Sequence, residues 1–295
     1  MEAAAEHVLA VDIGGTKLAA AIVDGGGHIL HRDRAPTEGA GAEELFAALC
    51  RLVEDVRSVA DVPLAGAGVG CGGPMRRGGA GVSPLNIPAW RDFPLHDRLA
   101  SALSLAITVD NDAKALALGE GWLGAARGER NFMAMVVSTG IGGGIVADGR
   151  LIDGQDSNAG HIGHLIVEPE GRRCVCGAQG CLEAEASGTA IAAITGRPAT
   201  EAGPAVQART GRLVGRAVAS VTNLLDLRLT YVAGSVALGF GEAFFTAAQA
   251  ELDARARLDF SRGARIMPAG LGETGPLVGA AALAWRAGGH HLGIV

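Results

Sequence analysis

The sequence predicts an α/β protein of two lobes built on one plan. Three observations carry this reading. Apolar, strand-like runs alternate with segments of helical spacing along the chain, the pattern of an α/β protein. The stretch "VDIGGTKLAAAIVDGG" from Val11 aligns with "VSTGIGGGIVADGR" from Val137 with little adjustment, each an apolar run, a glycine turn and a second apolar run. The chain has 295 residues of which 48% are apolar, enough for one large domain or two lobes with a sizeable core. The repeat predicts that each lobe offers one glycine turn to a ligand in a cleft between them, since glycine lets backbone approach closely and clustered N–H groups cradle phosphate.

The elements follow in order. Residues 8–30 read as three short strands joined by glycine turns. Their "GGTK" is not a nucleotide-binding P-loop, because GxxxxGK[ST] is unmatched and a strand follows where that loop needs a helix. Residues 42–59 have helical spacing, 64–74 form a strand into a turn, and "SPLNIPAW" (83–90) is a loop broken by prolines. A helix over 93–103, a strand over 106–112 and a helix over 113–124 come next, the last crossing into the second lobe. The second meander covers 132–152. Beyond a cysteine cluster, a helix covers 185–195, a long amphipathic helix 206–226, a strand and turn 229–237, and a closing helix 276–285. The tail "GGHHLGIV" reads as loose. Residues 1–112 with 280–295 are assigned to a small lobe and 113–279 to a large one.

Composition excludes several partners. The net charge is −6 and Lys and Arg form no run, which argues against nucleic acid. No apolar run is long enough to span a bilayer, and "MEAAAEHVLAVDIGG" starts acidic and passes straight into a strand, so a cytoplasmic protein is expected. The richness in Arg and Ala is read as coding bias; the only lysines are Lys17 and Lys114. Five cysteines fit a reduced compartment, and three of them sit within "CVCGAQGCLE", a pattern of metal ligation rather than of a disulfide frame.

Three features point to chemistry. Asp12 stands at a strand end, at the head of the first glycine turn, where a carboxylate can hold Mg2+ on a nucleotide phosphate through water. Asn111 and Asp112 stand at another strand end. A sugar hydroxyl is too weakly acidic to ionise at neutral pH, and a fixed carboxylate can orient it and take its proton as the O–P bond forms. Taken alone, Asp112 reads as the N-cap of the helix that follows; within this constellation it reads as catalytic. Cys174, Cys176 and Cys181 could be buried apolar thiols. A CxC pair, a third cysteine five residues on, two glycines between and His164 upstream fit a closed four-ligand zinc site better, and a closed site is structural. Cys50 and Cys71 read as core thiols.

In this order and spacing, "DIGGTK", "NDA", "STGIGGG", "GHIGH" and "CVCGAQGCLEAEASG" resemble the ROK family of bacterial sugar kinases and sugar-responsive repressors, over nearly the whole chain. The resemblance implies the actin-like, hexokinase-type ATPase fold of two lobes with a central cleft, and an ATP-dependent kinase acting on the 6-hydroxyl of a hexose or amino-hexose. It implies that Gly14, Gly15 and Thr16, with Thr139, Gly140, Gly142 and Gly143, hold the ATP phosphates, and that Gly234 lies on the adenosine side. It implies that Asn111 and Asp112 contact the sugar with Asp112 as base, that Glu183 reaches the sugar from the zinc loop, and that Asn86 is a further sugar contact. His164, Cys174, Cys176 and Cys181 are the implied structural Zn2+ ligands, with His164 also beside the substrate, and a homodimer is the implied assembly. Many relatives carry Asn where Lys114 stands here, and Lys114 is read as pointing to solvent. The "GExGH" of most such kinases is "GHIGH" here, so His161 replaces a carboxylate that grips sugar hydroxyls; it is expected to line the sugar site without binding zinc. Relatives resembling bacterial N-acetylmannosamine kinases share "AGHIGH". The sugar stays open among glucose, N-acetylmannosamine, N-acetylglucosamine and kanosamine, and polyphosphate stays open as donor. Repressors of the family carry a DNA-binding segment ahead of the kinase-like part; with "DIGGTK" beginning at residue 12, the kinase is expected rather than a sugar-binding regulator.

Overall fold

A computed structural model describes residues 6–37 and 41–294. The acidic start of the chain, residues 1–5, lies outside the described residues. Two compact units emerge. One holds the chain up to Gly128, together with Asp153–Ala159 and everything from Glu273 on; the other holds Glu129–Ile152 and Gly160–Gly272.

The first unit is built on a five-stranded sheet. Strands β1 (His7–Ile13), β2 (Lys17–Asp24) and β3 (Ile29–Pro36) form the predicted antiparallel meander, and β4 (Leu64–Cys71) and β5 (Ile107–Asn111) continue it in parallel, giving the order β3-β2-β1-β4-β5. Strands β1 and β2 are buried almost throughout, which explains their unbroken apolar runs, whereas the edge strand β3 is largely solvent-facing and carries Arg32, Asp33 and Arg34. Helix α1 (Ala42–Ala60) turns Leu45, Phe46, Leu49, Leu52, Val53 and Val56 inward, a stripe at three- and four-residue spacing, and ends at Asp61 in the left-handed conformation. Helices α2 (Leu95–Leu103) and α3 (Asp112–Trp122) follow. Residues Ala113–Gly121 of α3 are all buried, so that helix shows no amphipathic period.

The second unit repeats the plan. Strands β6 (Phe132–Val137), β7 (Ile141–Ala147) and β8 (Arg150–Leu151) form an antiparallel meander, and β9 (Leu229–Ala233) lies parallel to β6 on its other side, as β4 lies beside β1. With β10 (Arg265–Pro268) the order is β10-β9-β6-β7-β8, the topological counterpart of the first sheet. The helices are α4 (Leu182–Ala186), α5 (Gly188–Thr195), α6 (Pro204–Leu225), α7 (Ser235–Phe240) and α8 (Glu242–Arg255). Helix α6 packs along α8, with Leu213, Val214, Ala217 and Val218 facing a core that includes Phe244, Ala248 and Leu252. The chain returns to the first unit as α9 (Gly275–Ala287), which packs on α3, β1 and β4.

The tail departs from expectation. The Nε1 of Trp285 donates to the carbonyl of Asp24 at 3.1 Å, and the amide of His290 donates to the carbonyl of Trp285 at 2.9 Å. The His290 ring stands edge-on to the Trp285 indole at 4.3 Å, and Leu292 and Ile294 are buried, so the segment after α9 is seated rather than loose. Among the described residues no helix is long and apolar enough to cross a membrane.

Candidate active site and metal centre

The first glycine turn joins β1 to β2. The amide of Gly14 donates to the carbonyl of Lys17 at 3.0 Å, and Thr37 closes the turn from the far side, its hydroxyl donating to the carbonyl of Gly14 at 2.7 Å and its amide to that of Thr16 at 3.1 Å. Asn86 lies over Gly15, where an added Cβ would stand 2.6 Å from the Asn86 Cβ. A side chain at 15 would therefore displace the "PLNIPAW" loop. At the head of the turn Asp12 is only 8% exposed. Burial first, and the neighbouring Asp112 carboxylate second, push its pKa up to about 7, against a smaller opposing pull from Lys17.

The β5–α3 corner presents the other polar groups. Asn111 is the true N-cap: its Oδ1 accepts from the amides of Ala113 at 3.0 Å and Lys114 at 3.4 Å. Asp112 is the first residue of the helix itself, with its Oδ1 accepting from the amide of Ala113 at 2.9 Å. The capping duty that could have explained Asp112 thus belongs to its neighbour.

In the second unit the corresponding turn runs through Ser138, Thr139 and Gly140, with Gly142 and Gly143 in the following strand β7. Helix α5 braces it. The Gly188 amide donates to the carbonyl of Ser138 at 2.7 Å, and the Thr189 hydroxyl donates to that of Thr139 at 3.0 Å. Glu183, on the first turn of α4, accepts the Ile141 amide at 2.8 Å, tying the cysteine loop to the glycine turn. Gly234 has φ +101°, and a Cβ there would meet the Val137 carbonyl oxygen at 2.3 Å, so only glycine fits where β9 passes into α7.

His164, Cys174, Cys176 and Cys181 converge, their ligand atoms all within 4.8 Å of one another. A short antiparallel bridge between Arg173 and Gln179 and a turn closed by the Gly177 amide on the Cys174 carbonyl fold the loop. The donor set and its spacing fit zinc. Tetrahedral zinc, with Zn–S about 2.3 Å and Zn–N about 2.0–2.1 Å, sets sulfurs about 3.8 Å apart and a sulfur and nitrogen about 3.6 Å apart. Here the sulfurs of Cys176 and Cys181 are 3.7 Å apart, and the Cys174 sulfur is 3.6 Å from Nδ1 of His164. Burial holds His164 below its ordinary pKa, which keeps it neutral, the ligating form. Burial, then the hydrogen bonds and charges of the other two thiols, push Cys181 up to about 12. Burial also raises Cys174, whereas the backbone amide of Ala178 lowers Cys176, so the three thiols do not ionise alike and a cation that claims all three must displace protons from Cys174 and Cys181. The His161 ring is stacked near that of His164, with centroids 6.2 Å apart and planes at 23°, and does not join the ligand set.

The family model for the ROK family matches residues 8–287. The chain belongs to the ROK family. Curated relatives include the N-acetylmannosamine kinase of Yersinia pseudotuberculosis, 37% identical over 251 residues, covering 79% of this chain and 84% of that one. Among solved structures, a ROK family glucokinase from Streptomyces griseus, in complex with glucose and AMPPNP, has a TM-score of 0.85 at 30% identity, covering 95% of this chain and 99% of that one. A ROK hexokinase from Thermus thermophilus has a TM-score of 0.77 at 33% identity, covering 96% and 99%. The two-lobed, hexokinase-type fold expected from the motifs is the fold of this ROK chain.

One expectation for this ROK protein is corrected. Lys114 does not point to solvent. It is fully buried, and its Nζ donates to Asp110 Oδ1 at 2.8 Å and to Asp153 Oδ1 at 2.6 Å. Burial pushes the Asp110 carboxyl up in pKa, and the Lys114 ammonium opposes that shift. Asp110, at the end of β5, stands four residues before Lys114 on the first turn of α3, a separation visible in sequence; Asp153 is 39 residues away, and nothing local in the sequence marks it as the partner.

Proposed function

We propose that this ATP-dependent sugar kinase phosphorylates the 6-hydroxyl of an N-acylated hexosamine, with N-acetylmannosamine as the foremost candidate. Kinase activity is common to the relatives described above. The observation that carries the narrower reading is His161. A carboxylate at that position accepts from two hydroxyls at once, whereas a neutral imidazole offers one donor and one acceptor and is bulkier. Its ring lies near-parallel to that of His164, with centroids 6.2 Å apart. Such a group pairs with an amide substituent as readily as with hydroxyls.

In this mechanism the Asp112 carboxylate orients the sugar hydroxyl and accepts its proton as the sugar oxygen bonds to the γ-phosphorus and ADP departs. The Asn111 amide, whose oxygen serves the helix cap, turns its NH2 to the sugar. Asn86 and Glu183 are assigned further sugar contacts. Gly14, Gly15, Thr16, Thr139, Gly140, Gly142 and Gly143 take the phosphates through backbone N–H groups, and Gly234 admits the adenosine. Asp12 would anchor Mg2+, which when bound would supply charge neutralisation of the phosphates. His164, Cys174, Cys176 and Cys181 would hold Zn2+, which would brace the loop that carries Glu183. We take the acting species to be a cytoplasmic homodimer that binds neither nucleic acid nor membrane, on the family resemblance and the net charge of −6.

Two experiments test these assignments. An ADP-release assay over a sugar panel is expected to give N-acetylmannosamine the highest kcat/KM. In His161→Glu, relative kcat/KM between N-acetylmannosamine and glucose should change by tenfold or more, on the order of 1–3 kcal/mol for one altered polar contact, with metal content unchanged. An unaltered preference sinks the His161 assignment. For the metal, purified protein is expected to hold about one zinc per chain, and Cys176→Ser to lose it together with order in the 164–183 loop. Full activity in a metal-free preparation refutes the structural role.

A further inference from the structure

Lys114 is one of two lysines in the chain, and it is buried beside the group proposed as the base. A buried ammonium is costly unless fully paired. This one is paired twice, and its partners belong to different segments. Asp110 Oδ1 accepts both the Lys114 ammonium at 2.8 Å and the backbone amide of Asn111 at 2.8 Å, so a single oxygen cross-links the β5–α3 corner from residue 110 to residue 114. Asn111 and Asp112 lie inside that link.

The second bond ties the corner to the stretch "DGQDSNA", residues 153–159, which packs with the first unit although the residues on either side of it do not. That stretch is pinned at two more places. The Arg77 guanidinium donates to the Gln155 carbonyl at 2.7 Å. The Asn158 amide pairs with both backbone groups of Met75, accepting the amide at 3.0 Å and donating to the carbonyl at 2.8 Å. An Asn at position 114 is too short to span from α3 to Asp153, and an Arg replaces a compact three-donor ammonium with a wide planar fork.

We propose that Lys114 is a positioning residue for Asp112: its ammonium, clamped between Asp110 and Asp153, fixes the first turn of α3 against the 153–159 strap and so holds the base in line with the sugar hydroxyl. The inference rests on the reading of Asp112 as base. Asp153 acts only through Lys114 in this arrangement, so its loss and that of Lys114 are not additive. Misplacement of a base by a fraction of an ångström to about 1 Å costs on the order of 10- to 100-fold in rate.

The test uses steady-state kinetics with the preferred sugar, plus thermal melts, on the full chain. Lys114→Met is expected to lower kcat by about 10- to 100-fold with KM for ATP unchanged. Asp153→Asn, at a half-exposed carboxylate that a folded protein readily loses, should lower kcat by several-fold. The double variant should be no slower than Lys114→Met alone. A triple variant, Lys114→Met with Asp110→Asn and Asp153→Asn, removes the ammonium and both its partner charges together and should recover thermal stability without recovering kcat. Return of kcat with stability would mean that Lys114 only supports the fold, and would overturn the proposal. So would additive losses, or a folded Lys114→Met within twofold of wild type. Asp112→Asn, run in parallel, separates the two readings: if it leaves kcat intact the base assignment fails, and if it collapses kcat while Lys114→Met does not, the positioning role alone fails.

Discussion

Asp112→Asn should keep the fold and the affinity for sugar while lowering kcat by roughly 10²–10⁴, the usual worth of a positioned general base. The structure makes this substitution unusually clean. The cap of α3 is Asn111, whose Oδ1 accepts from both Ala113 and Lys114, so the helix start survives the change. Asn at 112 still offers an oxygen to the Ala113 amide that Asp112 Oδ1 now accepts. It is isosteric, and it removes a negative charge next to Asp12, which relieves rather than adds electrostatic cost. What it cannot do is accept the sugar proton. A variant with an unchanged melting temperature, unchanged sugar binding by calorimetry and a collapsed kcat has lost a transition-state interaction only. Turnover near wild type would return Asp112 to the role of a helix residue with no chemistry.

Much of the fold was legible because it rests on short-range patterns. The repeat of glycine turns between apolar runs became two meanders of identical connectivity, each with a parallel strand beside its first member. Helix α1 could be read from the spacing of Leu45, Leu49, Leu52 and Val56. The reading assigned nothing to 238–275, where α8 and β10 lie. Helix α8 buries only Phe244, Ala248 and Leu252, a narrow stripe at four-residue spacing that is thin among the alanines of "EAFFTAAQAELDAR". Strand β10 has four residues, too few for an alternating signal. The tail was misjudged because what seats it is tertiary: Trp285 is fixed by a carbonyl 261 positions earlier in the chain.

The candidate site divides in the same way. The cysteine loop was legible because a four-ligand metal site needs ligand types at set spacings, and the four ligand atoms do converge. Asn111 and Asp112 stood out as polar residues at a strand end, but which of them capped the helix depended on backbone angles that sequence does not carry. Lys114 was misread for the opposite reason. A lone lysine on a first helical turn is ordinarily solvated, and its burial follows from two carboxylates, one of them supplied by a distant segment.

Asp12→Asn should make the protein more stable above neutral pH and nearly inactive. The buried Asp12 carboxyl has its pKa raised from 3.8 to about 7 by loss of solvent and by the Asp112 charge. In the unfolded chain the same group ionises at its ordinary value. Below pH 3.8 both states hold the proton and nothing is lost. Between 3.8 and about 7 the folded protein retains a proton that the unfolded chain has released, so stability falls as the pH rises through this window. Above it both states are ionised and the folded state carries the full penalty. A rise of roughly three pH units corresponds to as much as about 4 kcal/mol at 1.36 kcal/mol each. Asn removes the charge at nearly constant shape, so denaturation of the variant and wild type should nearly coincide at pH 4, with the variant ahead by up to that amount at pH 8. The same charge is what anchors Mg2+ in the proposed mechanism. Wild type should therefore gain stability from millimolar Mg2+ with ATP at pH 8, and the variant much less, with kcat/KM down by 100-fold or more for a lost charge contact at the reacting phosphates, on the order of 3 kcal/mol. A stability difference that does not change between pH 4 and pH 8 would show that the Asp12 carboxyl titrates in the folded protein as it does in the open chain. The expected growth of the difference with pH is the cost of keeping Asp12 ionised, the trade typical of a binding site in which a group unfavourable to the empty fold is retained because its ligand needs it.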